Sequence, residues 1–450
     1  MADIHLGNRQ YGSEERQMDF AQAFLDAIRF SVKKEVDFIL ISGDLFHKKT
    51  EMDPVTLLQA RKVLEIPERA GIPVIAVEGN HDSTYFRENY SWMDYLASSG
   101  LLINLKPEFS DGVVLREWDG ENGAYFEIDG TRIYGMKYYG SLTEKVLDEY
   151  VRKIKSSDFT IFMAHIGVEG YVKNMYGCIP SAKLHKLRGK VDYIALGHLH
   201  RAFVEGNLVF NPGSLESCDI SETRYERGIY FVEVDDRVGF SLVNSFYTPR
   251  DFVILDYSMK SPDLNEFESF IRAKRAEVGE KNKPVVDLKI EVERAVRSAI
   301  SEENLRKIIS DFFDPLLVRI HWEVRNIFKP SLPDLESKES IERSVISQLL
   351  ENYSYGDISD EVLNFKRIFS SSFNLVEVDK MVEDVLTHRT RKEAVKPGEY
   401  SESQVSEKLE KSKKSDAEAE KKKDFEDVEE EWDWRSALDS AGRTRKHKKL

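Results

Sequence analysis

Val74-Ile75-Ala76-Val77-Glu78-Gly79-Asn80-His81-Asp82 is the stretch whose reading decides the fold. Its first four residues are apolar and mostly β-branched, a pattern too short for a helix and suited to a strand buried on both faces. The run ends at a Gly-Asn turn signal, and that turn carries an amide, an imidazole and a carboxylate. A doubly buried strand belongs to a layered α/β domain, and the carboxyl ends of such strands form the edge where ligands bind.

The pattern recurs. Phe38-Ile39-Leu40-Ile41 leads to Gly43-Asp44, Thr160-Ile161-Phe162-Met163 to His165, and Tyr193-Ile194-Ala195-Leu196 to Gly197-His198-Leu199-His200, while Asp3-Ile4-His5 opens the chain. Between the early strands Phe20, Phe24, Ala27 and Ile28, and then Leu57, Leu58, Val63 and Leu64, recur at helical spacing. An open α/β sheet would bring all these strand ends to one edge. Gly228 to Val234 and Phe240 to Phe246 alternate like adjacent antiparallel strands. His5, His47, His81, His165, His198 and His200 all lie in or beside the motifs, and these are six of only 10 histidines, a placement that chance would scatter.

Asp3, His5, Asp44, Asn80, His165, His198 and His200 are therefore candidate metal ligands. Carboxylates, imidazoles and one amide oxygen, with no thiolate, exclude iron–sulfur and structural-zinc readings and suit Mn²⁺, Fe²⁺ or Zn²⁺. The set is too large for one ion. Two ions about 3.5–4 Å apart, bridged by a carboxylate, can clamp a phosphate. Such a centre lowers the pKa of water from about 15.7 to about 7, on the order of 12 kcal/mol toward a nucleophile. Singly, each motif has a commonplace reading: a surface D-x-H, a Gly-Asp turn, a strand-end histidine. Five in order at strand ends point to a two-metal phosphoesterase. Gly43, Gly79 and Gly197 are expected to turn the backbone so that the next side chain enters the site.

Composition sets the bounds. A net charge of -15 over 450 residues argues against loose adhesion to nucleic acid through a basic surface, although bound divalent cations would supply local positive charge. Two cysteines, Cys178 and Cys218, show no ligand spacing, exclude a disulfide framework and fit a reducing compartment. No apolar run spans a bilayer and no basic-then-apolar leader is visible, so the expected location is the cytoplasm, with no membrane contact.

Beyond about residue 250 the character changes. Val285 to Val292 and Leu316 to Val324 alternate as strands around a helical stretch from Glu302 to Phe313, a small α+β module. Lys329-Pro330 and Leu332-Pro333 mark a linker. Ile341, Val345 and Leu349 share one helical face, and Val378, Met381, Val382, Val385 and Leu386 another, with a break from Tyr353 to Asp360. Such a pair buries too little to stand alone and should dock on something. From about Lys392 a charged tail carrying Trp432 and Trp434 reads as disordered. The expected divisions are 1–248, 249–329, 334–390 and 391–450.

The order D-x-H, G-D, G-N-H-D, H, G-H-x-H resembles the calcineurin-like metallophosphoesterase superfamily. Asp3-Ile4-His5-Leu6-Gly7 with Arg9-Gln10-Tyr11-Gly12, and Gly43-Asp44-Leu45-Phe46-His47, narrow the likeness to archaeal DNA double-strand break repair nucleases of the SbcD-like kind. The resemblance is close over the first 215 residues and architectural to about 390. It implies a four-layer metallophosphoesterase β-sandwich flanked by helices, a small α+β domain capping DNA at 249–329, and a C-terminal helical pair. It implies that one metal takes Asp3, His5, Asp44 and His200 and the other Asp44, Asn80, His165 and His198. His81 would protonate the leaving 3′ oxygen, Asp82 hold the His81 tautomer, and His47 lie near the scissile phosphate. Asn211-Pro212-Gly213-Ser214 resembles a loop closing the site.

The activity implied is 3′–5′ double-strand exonuclease and single-strand endonuclease on DNA ends, with two Mn²⁺ per subunit, in the nucleoid. The implied partners are a second copy, through Leu57 to Ile66 and Trp92 to Leu96, and a coiled-coil ATPase of the structural-maintenance class bound by 334–390. In the family a buried strand precedes D-x-H, whereas this sequence starts two residues before Asp3. Either the start codon is assigned too late, which is the favoured expectation, or the first strand is missing, which would leave Asp3 and His5 loosely held; the chain as given is expected to bind metal weakly at the first site. Two other readings share the ligands: a phosphodiesterase on small or cyclic nucleotides, and a weakly catalytic scaffold tethering DNA ends. Protein phosphatases of the superfamily carry Glu where this chain has Asp82.

Overall fold

A computed structural model of the chain describes residues 1–84, 90–172, 177–235, 237–325, 338–352 and 358–371. They cluster into two units, one of residues 1–324 and one holding the described helices beyond Arg325.

In the first unit β1 (Ile39–Ile41), β2 (Val74–Ala76) and β3 (Ile103–Asn104) form a parallel sheet in that order. Residues 1–6 run along the other edge of β1. Ser42 N donates to Met1 O, Asp3 N to Gly43 O, His5 N to Asp44 O and Leu6 N to Leu45 O, all at 2.8–3.0 Å. A second sheet has the order β12 (Phe203–Glu205), β13 (Val209–Asn211), β11 (Tyr193–Gly197), β8 (Phe159–His165), β7 (Thr131–Met136) and β6 (Tyr125–Ile128). Its four central strands are parallel and its two edges antiparallel.

Strand residues point alternately to opposite faces, and here both faces are apolar. Ile133, Ile161, Met163 and Ala195 meet Ile75, Val77 and Leu105 of the first sheet in a shared core. Their neighbours Tyr134, Phe162 and Leu196 face outward against Leu147 and Tyr150 of α4 (Thr143–Lys153) and Leu184 of α5 (Ser181–Leu184). On the far side α1 (Glu14–Lys33), α2 (Pro54–Arg69) and α3 (Trp92–Ser98) cover the first sheet with Phe24, Ile28, Leu64 and Leu96. The result is the expected four-layer arrangement, and the notion of one open sheet is corrected: the strand ends belong to two sheets packed face to face. Helix starts follow local chemistry. Ser13 accepts from Arg16 N at the start of α1, and Asp53 caps α2 ahead of Pro54.

Shorter ladders complete this part: β4 (Glu108–Ser110) with β5 (Gly112–Val114), β9 (Gly167–Val168) with β10 (Cys178–Ile179), and β14 (Ile229–Val234) with β15 (Val238–Val243). The module that follows joins β16 (Phe252–Met259), β17 (Val285–Glu293) and β18 (Leu317–Arg325) into one sheet, with α6 (Leu264–Val278), α7 (Arg294–Ser298) and α8 (Glu302–Phe313). Leu255, Phe267, Ile271, Leu288, Ile290, Leu305 and Ile309 form its separate core. β17, α8 and β18 match the sequence reading, and β16 and α6 add to it.

In the second unit α9 (Lys338–Asn352) lies against α10 (Ser359–Ser371), linked by Arg343–Asp360 at 2.6 Å and Lys366–Glu342 at 2.8 Å. The linker prolines, the helical face from Val378 to Leu386, and Trp432 and Trp434 lie outside the described residues. Among the described residues no helix is long and apolar enough to cross a membrane.

One buried cation organises the first unit. Arg16 is fully buried and donates to Asp19 Oδ2 (2.7 Å), Gln10 Oε1 (2.7 Å) and Ser217 O (3.2 Å), with Glu216 at 3.3 Å. Arg250, just before β16, forks onto the same Asp19 at 2.7 and 2.9 Å, and Tyr247 donates to Glu216 at 2.7 Å. The cluster ties α1 to the loop after β13 and to the chain entering the module. Removing one member of such a group leaves buried charge uncompensated. Arg16→Ala should therefore cost about 3–5 kcal/mol of stability, read as a lowered urea midpoint.

Candidate metal centre

Asp44 lies three residues beyond β1, Asn80 four beyond β2, His165 at the end of β8, and His198 directly after β11. Because the two sheets face each other, these ends meet. Asp44 Oδ2 is 3.3 Å from His165 Nε2 and 3.9 Å from His5 Nε2. Asn80 Oδ1 is 3.1 Å from His165 Nε2 and 3.0 Å from His198 Nδ1. His200 Nε2 is 3.0 Å from His5 Nε2 and 3.8 Å from Asp3 Oδ1. All seven sequence-selected residues are thus in one place, arranged as two groups that share Asp44.

The backbone is held in costly conformations to achieve this. Asp3, His5, Asp44 and His198 have φ of 52°, 53°, 52° and 91°, a region non-glycine residues adopt at about 1–3 kcal/mol each. Pairing of residues 1–6 with 43–45 sustains the strain. Asp3 and His5 are buried and hydrogen-bonded through the backbone, unlike the loose hold expected if the first strand were missing. Not all three glycines make the turns expected of them. Gly43 does have a φ of 89°. Gly79 serves by close approach, since a Cβ there would stand 2.0 Å from Asp44 Oδ1.

The electrostatics follow from burial and crowding. Burial alone would raise Asp44, but His165 and the neighbouring imidazoles outweigh it and hold the carboxyl below the usual range. Burial would lower His165, yet Asp44 and Asp3 push it up to about 9. His5 is lowered by burial and by His200, and Asp3 is raised chiefly by burial. The donor set fits divalent cations. Two imidazole nitrogens face each other across 3.0 Å between buried carboxylates, and His5 Nδ1 has no hydrogen-bond partner among the described residues.

Around this centre, His81 N donates to Asp44 Oδ1 (2.9 Å) and its Nδ1 contacts the His47 carbonyl, while the His47 ring stacks on His81 with centroids 5.5 Å apart. Burial and His81 lower His47 to about 4, so it is neutral near pH 7. Asp82 does not hold the His81 ring. Its carboxylate accepts from Leu45 N (3.2 Å), Phe46 N (2.9 Å) and Gly79 N (3.0 Å), fastening the two metal loops together. Burial first, then Asp44, raise Asp82 to about 7. Asn211 donates from Nδ2 to Leu199 O and Arg201 O, so the Asn211–Ser214 segment braces the loop bearing His200.

Sequence reasoning missed two neighbours of the centre. Cys218 lies within 4.8 Å of the ligand atoms of His5 and His200, and Glu222 Oε1 is 2.8 Å from His200 Nδ1. Neither has a spacing signal, because both arrive on a loop folded back from β13.

With this geometry in place, comparison with known proteins defines the class. The sequence model of the calcineurin-like phosphoesterase family matches residues 1–202. That part of the chain is thus similar to calcineurin-like phosphoesterases, a likeness that supports a metal-dependent phosphodiester hydrolase with a divalent metal centre.

The closer likeness is to archaeal proteins named DNA double-strand break repair protein Mre11. That of Archaeoglobus fulgidus is 31% identical over 258 residues, covering 55% of this chain and 56% of that protein. That of Saccharolobus solfataricus is 24% identical over 68% of this chain and 77% of its own length. For Methanocaldococcus jannaschii the figures are 27%, 81% and 98%. The chain thus spans little more than half of the Archaeoglobus relative and nearly all of the Methanocaldococcus one. The resemblance drawn from the motifs agrees with these matches.

Two outcomes test the centre. In the ion-free protein His165 keeps its proton up to about pH 9, so a cation must displace it. Affinity should rise as pH climbs toward that value, with protons released on binding. Titration calorimetry of Mn²⁺ at pH 7 in two buffers of unlike ionisation enthalpy reads those protons, and identical heats would contradict the picture. Gly79→Ala should eject Asp44 and abolish binding of both ions while circular dichroism stays unchanged.

Proposed function

We propose that the protein is a two-metal DNA nuclease acting on broken ends, with 3′–5′ double-strand exonuclease and single-strand endonuclease activity. The observation that carries the reading is the sharing of Asp44 between two groups of buried donors, in a chain similar to archaeal break-repair proteins. Asp3, His5, Asp44 and His200 would hold one Mn²⁺, and Asp44, Asn80, His165 and His198 the other. Bound there, the pair supplies positive charge to draw in a phosphodiester and acidity to activate water.

The chain's own groups do the rest. The Asp44–His81 backbone bond fixes His81 at the edge of the centre. Donation from His81 Nδ1 to the His47 carbonyl leaves Nε2 as the atom that carries the exchangeable proton. Protonated Nε2 passes that proton to the leaving 3′ oxygen, and the stacked, neutral His47 keeps the ring from turning. Asp82 holds Gly79 and Leu45–Phe46 so that Asp44 and Asn80 keep their spacing.

The module from β16 to β18 has its own core, as a DNA-capping domain requires and a small-molecule phosphodiesterase does not. Leu58 (47%), Trp92 (36%) and Tyr90 (59%) are exposed around α2 and α3, which favours dimerisation there, although Leu64, Met93 and Leu96 are spent within the chain. The helices of 334–390 would bind the coiled-coil ATPase, in the nucleoid of the cytoplasm.

Wild-type protein should degrade end-labelled duplex DNA only with added Mn²⁺, and His81→Ala should slow it by about 10²–10⁴-fold while still binding the ions. Undiminished cleavage by His81→Ala would remove the assigned proton donor, and metal-independent cleavage would sink the reading. Truncation at Lys329 should leave cleavage intact and abolish capture of the ATPase.

A further inference from the structure

His200 offers Nε2 toward Asp3 and His5 and turns Nδ1 the other way, onto Glu222 Oε1 at 2.8 Å. The second oxygen of the same carboxylate accepts from Cys218 N at 2.8 Å. Glu222 closes a 3₁₀ turn, Ile220–Glu222, that is fastened from several sides. Asp219 accepts from Ser221 N at 2.9 Å, Ile220 N donates to the Tyr11 hydroxyl at 3.1 Å, and Arg227 donates to the Glu222 carbonyl. Tyr11 in turn lies under the Arg319 guanidinium of β18, 3.8 Å from its ring centroid. One carboxylate therefore connects a site histidine to a rigid turn, and that turn to the module beyond residue 250.

An imidazole whose Nδ1–H is held by a carboxylate is locked in the tautomer that leaves Nε2 free to ligate, and its orientation is fixed at the same time. We propose that Glu222 is a positioning residue for His200, and that Tyr11 couples this support to the module through Arg319. The inference rests on the two-metal reading and deepens it. Glu222 would touch neither substrate nor ion. Its effect falls on the ion bound by Asp3, His5 and His200, because the other group is built around Asn80, whose Oδ1 faces His165 and His198 rather than His200.

The test is Mn²⁺ titration of the full chain, with free ion counted by electron paramagnetic resonance. Wild type should hold two ions. Glu222→Ala should keep one near wild-type affinity and weaken the other about 10- to 100-fold, the usual cost of losing such a partner. Glu222→Gln, which can still accept from Nδ1, should recover much of that loss. Tyr11→Phe should weaken the same single ion by a smaller factor. Two ions bound by Glu222→Ala with wild-type affinity would overturn the proposal, as would equal weakening of both. The readout does not depend on cleavage. A wild type that holds two ions and cuts no DNA would refute the nuclease reading alone, whereas no ion binding by wild type would refute both.

Discussion

Everything at the site depends on where the Asp44 carboxylate is held. It faces His165 and His5, receives the His81 amide, and sits where Gly79 leaves room for it. A buried carboxylate among imidazoles survives because opposite charge and hydrogen bonds compensate its lost hydration. The left-handed backbone at Asp44 is part of the same bargain, sustained by the ladder between residues 1–6 and 43–45 and by the three amides that Asp82 collects.

From that point the rest of the domain reads as support. The two sheets must pack face to face for His165 and His198 to reach Asn80, and the shared core of Ile75, Val77, Ile161 and Met163 keeps them so. The Arg16 cluster performs a related task at longer range. It joins α1, which follows the D-x-H segment, to Glu216 and Ser217, which precede Cys218 and Glu222. Support for His200 is thus continuous from the core of the domain to the chain that enters the module beginning at β16.

Asp82 and Glu222 show how the same side chain type can be misread from order alone. Adjacency to His81 made Asp82 look like its partner, yet successive residues in a turn point apart, and the carboxylate faces the backbone of the neighbouring loop. Glu222, separated from His200 by 22 positions, does for that histidine what Asp82 was expected to do for His81.

The sequence by itself determined the alternation of buried strands and helices, the strand-end placement of Asp44, Asn80, His165, His198 and His200, and the separate module beyond residue 250. These are local properties: apolar periodicity, turn signals, and residue types at short spacing. Only the tertiary structure decided that the strand ends come from two facing sheets, that residues 2–6 are buried and residues 1–6 paired with 42–45, and that Glu222 and Cys218 belong beside His200. Each of those depends on segments distant in sequence being brought together by packing, and no local pattern encodes which loop folds back onto which histidine.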